Sequence, residues 1–227
     1  MNKLLYKECK LCLVPQIPLF FVFALMMLIP NYPCLVAAFF TCNSIFYSFS
    51  QALVDNDLLF STLLPVSKAD VVRGKLRFVV LIQLATLAVY VPVIFLRHAI
   101  SPAGNAAGVD ACFTLLAGAL VLFALFNALF LPHFYRAPHR VGRHFLIVTL
   151  AIFGWIAVFE GFMIVCGAAR DSLPFFAWVE THLDCFPATR DAWLAQLAAL
   201  AAGAAIYAGA NAWTRRRTIR AFEEQDL

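Results

Sequence analysis

The sequence contains little charge, and this shortage decides its class. Only 13% of its 227 residues are charged and 63% are hydrophobic, whereas soluble proteins carry about a quarter of charged residues. Outside its apolar runs, no segment is long enough to build a soluble catalytic domain. The composition therefore excludes an ordinary soluble enzyme and predicts an all-α, polytopic integral membrane protein.

Common catalytic and nucleotide-binding patterns are also missing. The sequence has no GxxxxGK[ST] loop to cradle phosphates, no HExxH pair for zinc and no GxSxG nucleophile turn. Cys9 and Cys12, in CKLC, have metal-ligand spacing, but a lone pair favours packing over a metal site. We therefore expect neither an enzyme nor a bound metal or cofactor, and any energy-converting domain must belong to another chain.

Six apolar windows are long enough to cross a hydrocarbon core, which takes about 20 residues. They cover residues 13–30, 33–54, 76–96, 111–131, 145–167 and 191–213. The first is the weakest, because Pro15 and Pro18 lie at its start. The sequence predicts one transmembrane domain over residues 1–227.

Lysines and arginines fall mainly on one side of these spans. With the N-terminus inside, fourteen of the 17 face the cytoplasm, and Arg97, Arg170 and Arg190 face outward. Both termini are therefore predicted to be cytoplasmic. Because the basic residues edge the spans, the formal charge of +4 indicates contact with membrane lipids and not with nucleic acid.

Residues 56–75, NDLLFSTLLPVSKADVVRGK, interrupt the apolar runs after the second window. The pattern predicts a short amphipathic helix that ends at Pro65, with an apolar face formed by Leu59, Phe60, Leu63 and Leu64. Ser67 can cap a second helix, with Asp70 at the acidic position of a capping box. An ordinary amphipathic connector would explain the same pattern.

The run DNDLLFSTLLPVSKADVVRGKLRFVV resembles the segment between spans two and three in permease subunits of ABC transporters of the type-2 exporter class. The six-span layout, the charged N-terminal segment MNKLLYKECK and the acidic end FEEQDL are similar as well.

This resemblance implies that residues 55–75 form a cytoplasmic coupling segment resting on ABC-type ATPase subunits, which bind ATP and Mg. A second permease copy or a related permease, and a plasma membrane of bacterial origin, are also implied. The implied ATPase-contact residues are Asp57, Pro65, Ser67, Lys68, Asp70, Arg73 and Lys75.

Two polar features within the spans are candidates for a substrate path. Glu160 is the one ionisable residue clearly inside a window. Thr41, Ser44, Ser48 and Gln51 recur on one helix face. Either feature can instead hold helices together through hydrogen bonds. The scarcity of charge favours a lipid-like, peptide or drug-like cargo over a small ion.

Other interpretations stay open at this point. A secondary transporter would use paired intramembrane charges or broken helices, and a non-transporting immunity or sensor protein fits the composition equally well. The alanine-rich last window, with Ala199 and Gly203, predicts a close helix contact within the chain or with a second copy.

Overall fold

The computed structural model describes residues 3–11, 16–63, 65–100 and 104–224, which contain helices and no strand. The α-helices in chain order are α1 Lys3–Leu11, α2 Gln16–Phe21, α3 Val36–Val54, α4 Asp57–Leu63, α5 Lys68–Ile100, α6 Phe113–Arg136, α7 Val141–Ala168, α8 Pro174–Leu183 and α9 Arg190–Glu223. Two 3-10 helices, Val22–Leu28 and Pro138–Arg140, lie between them. The predicted all-helical class is confirmed for the described part of the chain.

Four of these helices are long and apolar enough to cross a membrane: α5, α6, α7 with its preceding turn, and α9. They correspond to the last four predicted spans. Their length and composition make the chain a multi-pass membrane protein.

The first two predicted spans differ from these four. α3 has 19 residues and carries Thr, Asn, Ser and Gln side chains, and it is not among the four helices that are long and apolar enough to cross a membrane. The first apolar stretch is helical from Gln16 to Leu28, as the six-residue α2 followed by a seven-residue 3-10 helix. Cys12 and the start of the first window, residues 13–15, lie outside the described residues. Six spans therefore stay a prediction.

α6 forms the centre of the bundle. Most of its side chains are buried, including those of Phe123 and Phe130. α9 approaches it closely, since a β-carbon at Gly203 would lie 3.0 Å from the backbone of Ala117. Glycine allows the two backbones to meet here. The close contact predicted for the last window is thus present within the chain.

A group of polar side chains joins α5, α6 and α9 inside the bundle. Gln83 and Asn127 exchange two amide hydrogen bonds of 2.9 Å, and Asn127 also donates to Asn211 at 2.9 Å. The Tyr207 hydroxyl donates to Gln83 at 2.6 Å. Because an unpaired amide is costly in apolar surroundings, these bonds fix how the three helices face one another.

The bundle has two distinct ends. At the first, which we call the elbow end, α1 and α4 lie beside the start of α5, and Tyr135 packs against Phe222 near the end of α9. At the opposite end, the loops before α3 and α6 meet α7, and the loop before α6 also meets the loop that follows α8. α5 and α9, with 33 and 34 residues, reach about 50 Å and so extend beyond a core of about 30 Å.

Candidate functional site

The predicted helix, sharp turn and second helix are present at the elbow end. α4 ends at Leu63 and α5 begins at Lys68. The Ser67 hydroxyl accepts a hydrogen bond from the Asp70 N–H at 3.1 Å and donates to the Asp70 carboxylate at 2.7 Å. These contacts, with Arg73 at 3.0 Å, hold the pKa of Asp70 below its usual range. The predicted cap on α5 is confirmed.

Four charged side chains meet behind this turn, where α1, α4 and α5 converge. Lys7 Nζ lies 2.6 Å from the Asp57 carboxylate, and Lys75 Nζ lies 2.7 Å from that of Glu8. The crossed distances are 3.6 Å from Lys7 to Glu8 and 3.5 Å from Lys75 to Asp57. We call these four residues the ion cluster. Two ammonium groups and two carboxylates cancel, so the cluster is neutral as a whole.

The ion cluster is shielded from solvent. Its side chains are between 3% and 14% exposed, and the Lys75 ammonium lies 5.3 Å from the centre of the Phe49 ring on α3. Lys7 also donates a hydrogen bond to the Ser61 hydroxyl on α4. Since removing one partner of a buried ion pair leaves an uncompensated charge, each member holds the others in place. The cluster therefore fastens α1, α4 and α5 to one another.

The structure divides the seven predicted ATPase-contact residues into two groups. Asp57 and Lys75 belong to the ion cluster and face inward. The other five are exposed or half-buried on the outer surface of the turn: Pro65, Ser67, Lys68, Asp70 and Arg73. Contact of any of them with an ATPase stays a prediction, but only the second group offers a surface to a partner.

Apolar side chains are also exposed on this surface. Phe60 is 57% exposed, Leu63 is 77% exposed and Val66 is 37% exposed. We call these three residues the elbow patch. A group of exposed apolar side chains rimmed by polar residues is typical of a protein or membrane contact. The ion cluster behind the elbow patch holds the patch in a fixed position.

Glu160 lies at the opposite end and is almost fully buried, at 4% exposure. Its carboxylate accepts hydrogen bonds from the Leu35 N–H at 2.8 Å and the Val109 N–H at 2.6 Å. Gly108 lies beside it with φ of 141°, and a β-carbon there would overlap the carboxylate. One side chain on α7 thus ties down the start of α3 and the loop before α6. This geometry favours the fastening interpretation, while a place in a substrate path stays a prediction.

The polar stripe on α3 is largely turned into the bundle. Thr41, Ser44 and Ser48 are buried, whereas Gln51 is exposed. The Thr41 hydroxyl donates to Thr86 on α5 at 3.3 Å, and Ser44 donates to the Thr41 carbonyl at 2.7 Å. Gln51 donates to the carboxylate of Asp55, the residue that follows α3, at 3.1 Å. The stripe therefore joins α3 to α5, and the structure does not bring it together with Glu160 in one polar group.

Two acids share a polar contact between the loops of the opposite end. The Asp110 N–H donates to the Asp184 carboxylate at 2.7 Å. Burial raises the pKa of Asp184 to about 7 and also raises the pKa of Asp110. A raised carboxyl pKa means that the folded chain binds the proton more tightly than the unfolded chain. The stabilisation contributed by protonated Asp184 is fully present below about pH 4 and is lost as the pH rises through about 7.

Lys7 and Glu8 were not predicted to be partners of the turn. One signal was available: Lys75 lies one helical turn from both Val71 and Phe78, which are buried, and so falls on the buried face of α5. A lysine on such a face needs an acidic partner from another element. The sequence does not say which acid supplies it.

Comparison with known proteins gives one result. The family described as ABC-2 family transporter protein matches residues 3–177, which is well over half of the chain. The matched part includes α1, the ion cluster, the elbow patch and Glu160. No curated protein and no solved structure matches the chain significantly.

Proposed function

This chain belongs to the ABC-2 transporter family, and we propose that it is the membrane-spanning permease subunit of an exporter driven by ATP hydrolysis in a separate chain. A membrane component without a GxxxxGK[ST] loop needs such a partner to bind ATP and Mg. Two permease copies, identical or related, would form the path. The cargo would be lipid-like, peptide or drug-like, since few charges lie within the spans.

The observation that carries this proposal is the elbow: an exposed apolar and charged surface held from behind by buried ion pairs. A connector that only joined two spans would need neither the exposed Leu63 nor the four-charge cluster. A surface that transmits the movement of an ATPase to the spans must be both accessible to that partner and rigid. The elbow patch supplies access, and the ion cluster supplies rigidity.

The proposed path of force runs from the elbow patch into two spans. α4 carries Phe60 and Leu63 on its exposed side, and Asp57 at its start in the ion cluster. Movement of α4 would pull on Lys75 of α5 and on α1 through Lys7. Because α5 is a 33-residue helix, movement at its start is carried along its length. In this proposal Asp57 and Lys75 act as positioning residues, and the exposed residues of the turn make the contact.

The orientation of the proposal follows from charge. Most lysines and arginines belong to the segments of the elbow end, so the positive-inside rule places that end in the cytoplasm, where ATP is available. Six spans with both termini inside, in a bacterial plasma membrane, complete the proposed arrangement. In that arrangement the ion cluster lies at the cytoplasmic headgroup level.

Co-purification tests the proposed contact. The chain is isolated from its native membrane in mild detergent, and the proteins that accompany it are identified by mass spectrometry. We expect an ABC-type ATPase with the native chain and its loss with Leu63→Glu, which places a charge in the elbow patch. Leu173→Glu is the matched control, because Leu173 is 53% exposed in the segment before α8.

Recovery of the ATPase with both the native chain and the control, and not with Leu63→Glu, supports the proposal. An abundant and folded preparation that brings no ATPase would contradict it. Such a result would favour the alternatives, a secondary transporter or an immunity or sensor protein. Equal loss with both glutamate variants would show that the elbow patch is not the contact.

A further inference from the structure

A cleft of about 630 Å³ opens between α5 and α9 at the elbow end, apart from the elbow patch. Its walls come from one face of α5 and from a single residue of α9: Arg73, Leu76, Arg77, Val80, Leu81, Leu84 and Arg215. The arginines belong to the parts of α5 and α9 near the elbow end, and the aliphatic residues continue along α5 into the membrane span. The cleft is thus charged at one end and apolar at the other.

The charged end is short of negative partners. Arg73 pairs with Asp70 at 3.0 Å, but within the described residues neither Arg77 nor Arg215 forms an ion pair. Three guanidinium groups and one carboxylate leave two positive charges in one cleft. Like charges gathered beside an apolar wall repel one another unless an anion lies between them. A phosphate group fits this need, because guanidinium binds phosphate through paired, charge-assisted hydrogen bonds.

The whole cleft, from its charged end to its apolar end, has the depth of one membrane leaflet. From Arg73 to Leu84 is eleven residues along α5, or about 16 Å at the rise of an α-helix, and half of a hydrocarbon core is about 15 Å. Leu81 and Leu84 are both 49% exposed on this face. A free phosphate would leave these side chains uncovered, whereas an acyl chain would cover them.

We infer that this cleft binds a phospholipid with an anionic headgroup, from the leaflet at the elbow end. The phosphate lies among Arg73, Arg77 and Arg215, and an acyl chain runs along Leu81 and Leu84 on α5. Basic pockets between transmembrane helices recognise anionic headgroups in this way. A bound lipid here joins α5 to α9 beside the elbow without using the elbow patch.

This inference does not rest on an ATPase partner. It needs only a membrane-embedded bundle with the elbow end at a headgroup layer. Failure of the co-purification experiment leaves it intact, and its own failure leaves the proposed permease role intact. Arg73 belongs both to the outer surface of the turn and to the cleft, so the variants used to test lipid binding leave Arg73 unchanged.

Native mass spectrometry of the full chain tests the lipid site. The detergent-purified chain is mixed with phosphatidylglycerol or with phosphatidylcholine of the same acyl chains, and bound lipids are counted. The variant is Arg77→Gln with Arg215→Gln. The control is Arg140→Gln with Arg216→Gln, which removes two exposed arginines outside the cleft.

We expect the native chain and the control to retain phosphatidylglycerol in preference to phosphatidylcholine. The cleft variant should lose on the order of tenfold or more in this preference, because each basic residue near an anionic headgroup contributes about fivefold to the attraction and the variant lacks two of them. Glycerol 3-phosphate, a soluble phosphate ester without acyl chains, should not displace the lipid at millimolar concentration. Leu81→Asn with Leu84→Asn should weaken retention of both lipids while leaving the arginines in place.

Three results would overturn the inference. Equal loss in the control would mean that general surface charge, and not the cleft, attracts the lipid. Displacement by glycerol 3-phosphate would identify a site for a soluble anion. A change in the oligomeric state of the cleft variant, with lipid retention unchanged, would mean that a second copy of the chain covers this face. Since all four arginines are exposed, these substitutions leave the fold intact, which the elution profile verifies.

Discussion

Lys75→Met should release α1 from the bundle while leaving the spans folded. Lys75 lies 2.7 Å from Glu8 on α1 and 3.5 Å from Asp57 on α4, at 4% side-chain exposure. Methionine retains most of the volume and removes the charge. Within the cluster, Lys7 is then the ammonium partner of both Glu8 and Asp57, so the net charge of the cluster changes from zero to −1.

The size of the effect follows from the burial. Removing one partner of a buried ion pair costs about 3–5 kcal/mol, because the remaining charge has lost both water and its counter-charge. α1 is a nine-residue helix whose position depends on this cluster. The substitution should therefore lower the free energy of local opening of α1 before it affects global unfolding. At about 1.4 kcal/mol per factor of ten, about 3 kcal/mol corresponds to a rise of about two orders of magnitude in the open population.

Hydrogen exchange measured by mass spectrometry reports that population. In Lys75→Met, amides of residues 3–11 should exchange about a hundredfold faster than in the native chain, while those of α6 stay protected. Lys10→Met is the matched control, because Lys10 is exposed on the same helix α1 and its loss should change little. Exchange in the control should stay within a few-fold of the native rate.

A second variant separates charge balance from packing. Glu8→Leu combined with Lys75→Met leaves the neutral Lys7 and Asp57 pair at 2.6 Å, so its cost should be smaller than the sum of the two single changes by about 1 kcal/mol or more. Strictly additive costs, or a Lys75→Met variant with native exchange in α1, would refute the argument that the ion cluster fastens α1 to the elbow.

The remaining predictions concern the opposite end and the helix contacts. Glu160→Gln can accept only one of its two backbone hydrogen bonds, so it should lower stability by about 1–3 kcal/mol; an unchanged thermal midpoint in detergent would contradict this. Gly203→Ala should destabilise the chain by about 1–3 kcal/mol through overlap with α6, whereas Gly209→Ala, which meets no atom within 4 Å, should be neutral or stabilising in the same melting assay. Between pH 5 and pH 8 the native chain should lose about 1–3 kcal/mol of folding stability as Asp184, with its pKa of about 7, ionises. Asp184→Asn should remove most of this pH dependence. Parallel stability profiles for the two chains would show that Asp184 is not the titrating group.

Long apolar runs and local capping signals made much of the fold predictable. α5, α6, α7 and α9 follow directly from apolar length, and the cap formed by Ser67 follows from local spacing. The C-terminal ends of α5 and α9 were not predicted, because charged residues beyond the membrane continue a helix without any change in backbone. The 3-10 conformation of Val22–Leu28 was not predicted either, since composition does not distinguish a 3-10 helix from an α-helix.

The candidate site was only partly predictable. The outer surface of the elbow depends on neighbours in sequence, so Pro65 and Ser67 could be placed from the sequence alone. The ion cluster joins Lys7 and Glu8 to residues about fifty or more positions away, and a pairing of that range is fixed by tertiary packing. The contacts of Glu160 could not be predicted either. Its partners are backbone N–H groups, which almost every residue has, so the sequence does not show which of them it binds.

The central claim is that the elbow touches a separate ATPase, and photo-crosslinking measures that contact directly. A photoreactive amino acid is placed at Val66, in the elbow patch, and at Leu173 before α8 as the control, and the chain is irradiated in its native membrane. We expect Val66, and not Leu173, to form a covalent adduct with a protein carrying a GxxxxGK[ST] loop. Adducts with such a protein from neither position, or equally from both, would contradict it.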